Sequence, residues 1–302
     1  MGKRSVRIAV VSALIAALVA IPCAVALRFC IRALEYVPTW QMPLIIAHRG
    51  DTTHAPENST QSIAAAGKAN ADYAEIDVRL TADDRPVVFH DRKTGRLATS
   101  GLNRKVNSLT YRQLAGMRMG KPWINRHAGF YHVPTLDQAI ETAQRANDHL
   151  GLLLEMKTDD LHAPKLAYTM SDAVEKLGFA KRTMVMSTSR RAMDVMHEMH
   201  PDWKVGWCLS GNAKRVDWRQ PMDFVVIRSH EVTRKFMFEA KVHNVPVYVG
   251  QADSHHAVNH ALALGAHGLL SNNVHHAVPA VRSYLVKVSL RDALLEKLGI
   301  RK

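Results

Sequence analysis

Leu44-Ile45-Ile46-Ala47-His48-Arg49-Gly50 is a short apolar run that ends in a histidine, an arginine and a glycine. Related patterns follow closely. Tyr73-Ala74-Glu75-Ile76-Asp77-Val78 carries two carboxylates at alternate positions, and Pro86-Val87-Val88-Phe89-His90-Asp91 ends in a second histidine. Short apolar runs bounded by turn residues read as buried strands. The connection 80–86 is shorter than the roughly dozen residues a parallel crossover needs, so the third run returns antiparallel, as a hairpin.

Working outward, residues 59–70 have helical spacing, with Asn58 or Ser59 as N-cap. Residues 92–133 lack strong periodicity and read as an excursion with one short helix around 110–117. Regular alternation resumes at Pro134-Thr135-Leu136 with a helix over 137–150. Strands are expected at 152–156, 183–187, 204–208, 223–227, 246–250 and 267–270, and helices at 163–177, 190–200, 234–242 and 256–264. Leaving out the hairpin return, eight strands alternate with helices, which predicts an α/β fold, a (β/α)8 TIM barrel. The barrel domain is placed at 44–280, with the insertion 92–133 after the hairpin. The basic amphipathic stretch 281–302, with Lys287, Arg291 and Lys297, reads as a helix on the outside of the barrel or, alternatively, as a face for acidic lipid.

The chain has 302 residues, 47% of them hydrophobic, enough for a real core and against disorder. Its formal charge of +13 suits anionic partners, but the basic residues form no stripe interleaved with aromatics, so no nucleic acid is expected. Of three cysteines, Cys23 and Cys30 accompany the N-terminal segment, which leaves Cys208 without a disulfide partner in the folded part. Lys3, Arg4 and Arg7 precede the uncharged run 8–27, and twenty helical residues span roughly the 30 Å of a bilayer core. Residues 1–34 are therefore expected to be an N-terminal transmembrane anchor with the rest of the chain exported. The alternative is a secreted protein, because Ala24-Val25-Ala26 fits a signal cleavage pattern. Residues 35–43 read as a linker. Oligomeric state is not legible.

The chemistry follows from the strand ends. Residues two apart on a strand share a face, so Glu75 and Asp77 project together, as do Glu155 and Lys157 of Glu155-Met156-Lys157. Barrel active sites are built at the C-terminal ends of strands. Three carboxylates converging there repel unless a cation sits among them, and hard oxygen ligands point to one Mg2+ or Ca2+ ion held by Glu75, Asp77 and Glu155. Arg49 and Lys157 then make the site net positive, which suits a phosphodiester anion. Cleavage of that bond also needs a base and an acid, and His48 and His90 supply such a pair on opposite flanks of the cluster.

These residues together resemble the glycerophosphodiester phosphodiesterase family. The matching elements are His48-Arg49-Gly50, Pro56-Glu57-Asn58-Ser59-Thr60, Glu75-Ile76-Asp77-Val78, His90-Asp91, Pro134-Thr135-Leu136 and Glu155-Met156-Lys157. The resemblance is strong over residues 44–157 and weak beyond. It implies a barrel with an insertion after the second histidine, His48 and His90 as acid and base, Glu75, Asp77 and Glu155 as metal ligands, and Arg49 and Lys157 on the phosphate. Departures come late: Tyr248-Val249-Gly250-Gln251 and Gly268-Leu269-Leu270-Ser271-Asn272 replace the family's usual strand ends on the alcohol side of the pocket. Tyr248 is a candidate to stack on the leaving group.

Other features read as structural. Glu57 either shapes its loop or joins the site, with Asn58 capping the next helix, and Asp91 either orients His90 or forms a turn. His54 is more often a loop residue than a rim of the site. His255-His256 and His275-His276 match no ligand spacing, and the methionines of 184–199 read as core filling. Three functions are compatible: hydrolysis of glycerophosphodiesters to glycerol 3-phosphate and an alcohol, a lysophospholipase D-type activity on membrane lysolipids, and a non-catalytic phosphodiester-binding module.

Overall fold

The computed structural model describes residues 42–120, 130–209, 211 and 216–297. The expected N-terminal span lies outside them, and among the described residues no helix is long and apolar enough to cross a membrane.

Eight parallel strands close into a barrel: β1 (Leu44–Ala47), β2 (Tyr73–Leu80), β4 (Gly151–Met156), β5 (Thr183–Ser187), β6 (Lys204–Cys208), β7 (Phe224–Arg228), β8 (Val247–Gly250) and β9 (Gly268–Ser271). β1 pairs with both β9 and β2, which completes the closure. β2 is the longest strand. Its first residues pair with β1, and its last three pair antiparallel with β3 (Pro86–Val88), the predicted hairpin return.

Helices α1 (Thr60–Lys68), α3 (Leu136–Ala146), α4 (Ala163–Lys176), α5 (Arg190–Met199), α6 (Arg234–Val242), α7 (His255–Ala263) and α8 (Val274–Lys297) belong to the barrel, while the short α2 (Tyr111–Ala115) lies in the insertion. Most begin at a hydroxyl cap. Ser59, Thr110 and Thr135 each accept the N–H three residues on, in a reciprocal capping box. Ser59, not Asn58, thus caps α1, which frees Asn58 for the site.

Three apolar layers result. The large core lies between the outward-facing strand residues and the helices, with Ile76, Leu154, Val185, Val225 and Val249 among its members. The barrel interior holds Ile46, Leu153, Met184, Met186, Phe224, Val226, Tyr248 and Leu270. Its aromatic rings lie over glycines on neighbouring strands: a Cβ at Gly151 would stand 2.3 Å from Tyr73, one at Gly206 2.2 Å from Phe224, and one at Gly268 2.9 Å from Tyr248. Large residues set against absent side chains fill the barrel, so it is a packed core and not a pore. The insertion has its own core, in which Leu97, Val106, Leu114, Met119 and Tyr131 pack on Val87 and Phe89.

One boundary differs from expectation. α8 begins at Val274, before Pro279, and not at 281. Asn273 Oδ1 accepts the His276 N–H at 3.0 Å, and Val274, Ala277, Ala280 and Val281 are buried in the main core. Pro279 lies inside the helix and forfeits one i→i−4 backbone bond, but the buried face carries the helix through it.

Candidate active site

β2 and β4 pair so that Asp77 lies beside Glu155. Their neighbours Ile76, Leu154 and Met156 face the outer core, so Glu75, Asp77 and Glu155 face the interior at the C-terminal mouth. All three are buried, and each offers an oxygen within 4.8 Å of the other two. Buried charge is costly unless paired. Lys157 Nζ stands 3.1 Å from Asp77 Oδ1 and 2.5 Å from Glu155 Oε1. Glu75 Oε2 accepts the backbone N–H of Arg49 at 2.9 Å, but Oε1 has no partner.

Burial, together with the charges of Asp77 and Glu155, pushes Glu75 well above the usual carboxylate range. Burial also raises Glu155, against the opposing pull of Lys157. Asp77 behaves differently: burial opposes its ionisation, but Lys157, His90, Arg49 and a hydrogen bond from Asn58 hold it at about 2. An unpartnered buried oxygen within an all-carboxylate set is the donor arrangement of a hard divalent cation, and Glu75, Asp77 and Glu155 fit one.

After β1 the backbone enters the left-handed region at Arg49 (φ +58°) and Gly50 (φ +78°). A Cβ at Gly50 would lie 2.6 Å from the Ser62 backbone, so only glycine fits this close approach. The turn aims the Arg49 N–H at Glu75 and its guanidinium at Glu57 (2.9 Å) and Asp77 (3.5 Å).

His48 sits on one flank, its Nε2 3.9 Å from Glu75 Oε2. Its Nδ1 lies 2.8 Å from Asn272 Oδ1, while Asn272 Nδ2 donates to Asp253 Oδ2 at 2.7 Å. That second bond fixes the amide, so its oxygen faces His48, Nδ1 carries the proton and Nε2 keeps a lone pair. Burial, then the neighbouring Arg49 charge, lowers the His48 pKa below 6.5. On the other flank, His90 Nδ1 meets Asp91 Oδ1 at 2.7 Å, which leaves Nε2 open. Asp91 therefore orients His90, which settles one of the two readings left open by the sequence.

Glu57 and Asp91 are joined by Arg96, from the insertion. Its guanidinium donates to Asp91 Oδ2 at 2.6 Å and to both Glu57 oxygens at 2.6 and 2.8 Å. A continuous chain of contacts thus runs from Asp77 through Arg49, Glu57, Arg96 and Asp91 to His90. The expected residues His48, Arg49, Glu57, Glu75, Asp77, His90, Glu155 and Lys157 are all in this assembly.

Tyr248 lies apart from it. It lies two residues below the end of β8, 5% exposed, stacked on Phe224 at 4.8 Å, with burial pushing its hydroxyl up to about 12. Strand parity points it inwards, but at the depth of the aromatic layer. Four supporting residues went unread in the sequence. Asn58 looked like a cap. Arg79, on the Asp77 face of β2, donates to the carbonyls of His90 and Lys157, and its two-residue offset from Asp77 was the available signal. Arg96 and Asn272 reach the site only through tertiary structure.

A family model for the glycerophosphoryl diester phosphodiesterase family matches residues 48–288. A glycerophosphodiester phosphodiesterase of Caldanaerobacter subterraneus subsp. tengcongensis is 28% identical over 163 residues, covering 54% of this chain and 65% of that protein. The Bos taurus glycerophosphodiester phosphodiesterase 1 is 31% identical over 152 residues, 48% of this chain and 41% of its own. The chain thus spans less than two thirds of the length of these curated relatives. The structure of an Oleispira antarctica phosphodiesterase, in complex with the product sn-glycerol-3-phosphate, superposes with a TM-score of 0.71 at 20% identity, covering 80% of this chain and 97% of that one, a likeness of fold.

Proposed function

Because the chain belongs to the glycerophosphoryl diester phosphodiesterase family, we propose that it is a phosphoric diester hydrolase that converts glycerophosphodiesters to glycerol 3-phosphate and an alcohol. The observation that carries this reading is the buried triad Glu75, Asp77 and Glu155, with one glutamate oxygen unpartnered. Mg2+ or Ca2+ suits these oxygens, and when bound it supplies Lewis-acid polarisation of a phosphoryl oxygen.

The chain's own residues do the rest. Arg49 and Lys157, already at the carboxylates, hold the phosphate by a fork and a point charge. His48, neutral and with Nε2 bearing the lone pair, takes the proton of the attacking hydroxyl. His90, held through Nδ1 by Asp91, donates from Nε2 to the leaving alkoxide. Purified protein assayed for glycerol 3-phosphate release across a panel of glycerophosphodiester head groups, with Mg2+, Ca2+ or EDTA, tests this. Activity indifferent to EDTA and to H48A would overturn it.

A second reading, lysophospholipase D-type hydrolysis at a membrane surface by an exported, anchored protein, is favoured by one observation. Val286, Leu290 and Leu294 are exposed at four-residue spacing on α8, near exposed Lys287 and Arg291. It predicts faster turnover of lysolipids in anionic vesicles than of soluble glycerophosphodiesters. The reverse preference removes it.

A further inference from the structure

Among the described residues, one other group of metal-ligating side chains converges outside the carboxylate mouth. Asp51, in the loop after Gly50, is fully buried. Its Oδ2 is met by two imidazoles, His54 Nδ1 at 2.9 Å and His275 Nε2 at 3.1 Å. The three ligand atoms lie within 4.8 Å of one another, and the two rings approach to 4.3 Å between centroids. Both histidines are about half exposed, so the site is open to solvent on one side.

We propose that Asp51, His54 and His275 bind a zinc-class divalent ion at a second site, distinct from the oxygen cluster of Glu75, Asp77 and Glu155. Atoms bound to one zinc ion at about 2.0–2.2 Å lie roughly 3 Å apart across a tetrahedral or octahedral angle, close to the spacings from Asp51 to each imidazole. Two imidazoles and one carboxylate favour a transition metal over Mg2+ or Ca2+. The remaining carboxylate oxygen is already committed: Asp51 Oδ1 accepts the Thr53 N–H at 3.1 Å and the Thr53 hydroxyl at 2.7 Å. Such outer contacts orient a ligating carboxylate and leave its other oxygen for the ion.

The location gives the ion a consequence. The hydroxyl of Thr52 donates to the carbonyl of Asn272 at 3.1 Å, and Asn272 holds His48. His275 is the second residue of α8. An ion here ties the loop 51–54 to the start of α8, on either side of the residue that fixes the His48 tautomer.

The test uses Zn2+ alone as the probe, on the full chain, with Mg2+ in excess to occupy the carboxylate mouth. Bound zinc is measured per chain after gel filtration and by competition with a chromogenic chelator. Wild type, E75Q and H256A/H260A, which removes an exposed histidine pair elsewhere, are expected to retain one equivalent. H54A and H275A, whose side chains are half exposed, are expected to fold as wild type by circular dichroism. They should bind zinc about 100-fold more weakly or worse, beyond the usual effect of an outer-shell change. Zinc should raise the thermal midpoint of wild type and not of H275A. Failure of wild type to retain zinc, or equal zinc affinity in H54A and H275A, overturns the proposal and leaves the hydrolase reading untouched.

Discussion

Asn58 and Asp77 hold each other by two hydrogen bonds: Asn58 Nδ2 donates to Asp77 Oδ2 at 2.7 Å, and the Asp77 backbone N–H donates to Asn58 Oδ1 at 3.0 Å. Both residues are buried, and Asn58 adopts φ +56°, a left-handed conformation that asparagine tolerates. N58A takes one of its partners from the buried Asp77 carboxylate, which keeps Lys157 and Arg49, and leaves the buried Asp77 N–H without its acceptor. It should lower stability by about 1–3 kcal/mol and weaken divalent-cation binding by about 10–100-fold. N58D, which sets a second carboxylate against Asp77, should be worse on both counts. Calorimetric titration with Mg2+ and Ca2+, alongside thermal melts, measures both.

Asn272 contacts His48 directly, its Oδ1 2.8 Å from Nδ1. The lowered pKa of His48 keeps the imidazole neutral at and somewhat below pH 6.5, so the acid limb of kcat/KM is expected below that value. N272D adds a negative charge beside the ring and exchanges the donor to Asp253 for a repelling oxygen. The limb should then move to higher pH. A limb that stays in place in N272D would show that this contact does not tune the base.

Arg96 binds two carboxylates with one fork, and its pKa is raised first by hydrogen bonding to Glu57. R96A leaves Glu57 and Asp91 without that partner and loosens the orientation of His90. A fall in kcat of about 10–100-fold is expected, the scale of lost outer-shell support. R96K should restore little, since an ammonium cannot span both carboxylates with the same geometry.

The metal-free protein should show an inverted pH dependence of stability. Glu75 has a folded pKa raised well above 4.5, so between 4.5 and that raised value the folded state binds more protons than the unfolded one. Stability then falls as pH rises through that window. Asp77 acts oppositely and lower: its contribution is present above 3.8 and is lost as pH falls through about 2. Melts in EDTA across the acid range should show the Glu75 decline. E75Q should reduce it to the part that Glu155, also raised by burial, contributes, and saturating Mg2+ should suppress it.

The barrel was legible because buried parallel strands read as short apolar runs, and the helices between them keep a 3.6-residue period. The primary site was legible because its charges stand where those runs end. Asn58 was misread because an asparagine before a helix resembles a cap, and the adjacent Ser59 took that role. Arg96 meets Glu57 across 39 positions, and Asn272 meets His48 across 224, separations at which local pattern carries no signal. Tyr248 lies apart from that assembly for a different reason. Alternation gives the face of a side chain but not its depth, and the aromatic layer lies below the mouth. His275 looked isolated because its partners, Asp51 and His54, lie at the other end of the barrel sequence.

Metal-assisted hydrolysis at Glu75, Asp77 and Glu155 makes activity depend on a cation and on each of its ligands. Glycerol 3-phosphate release from a soluble glycerophosphodiester is followed in wild type and E155Q while free Mg2+ or Ca2+ is titrated from a chelated start. Wild type should be inactive in chelator and saturate with added cation, and E155Q should require about tenfold or more cation to reach half its maximum, as expected when a ligand charge is removed. Full wild-type turnover in chelator, or an identical cation requirement in E155Q, would contradict it.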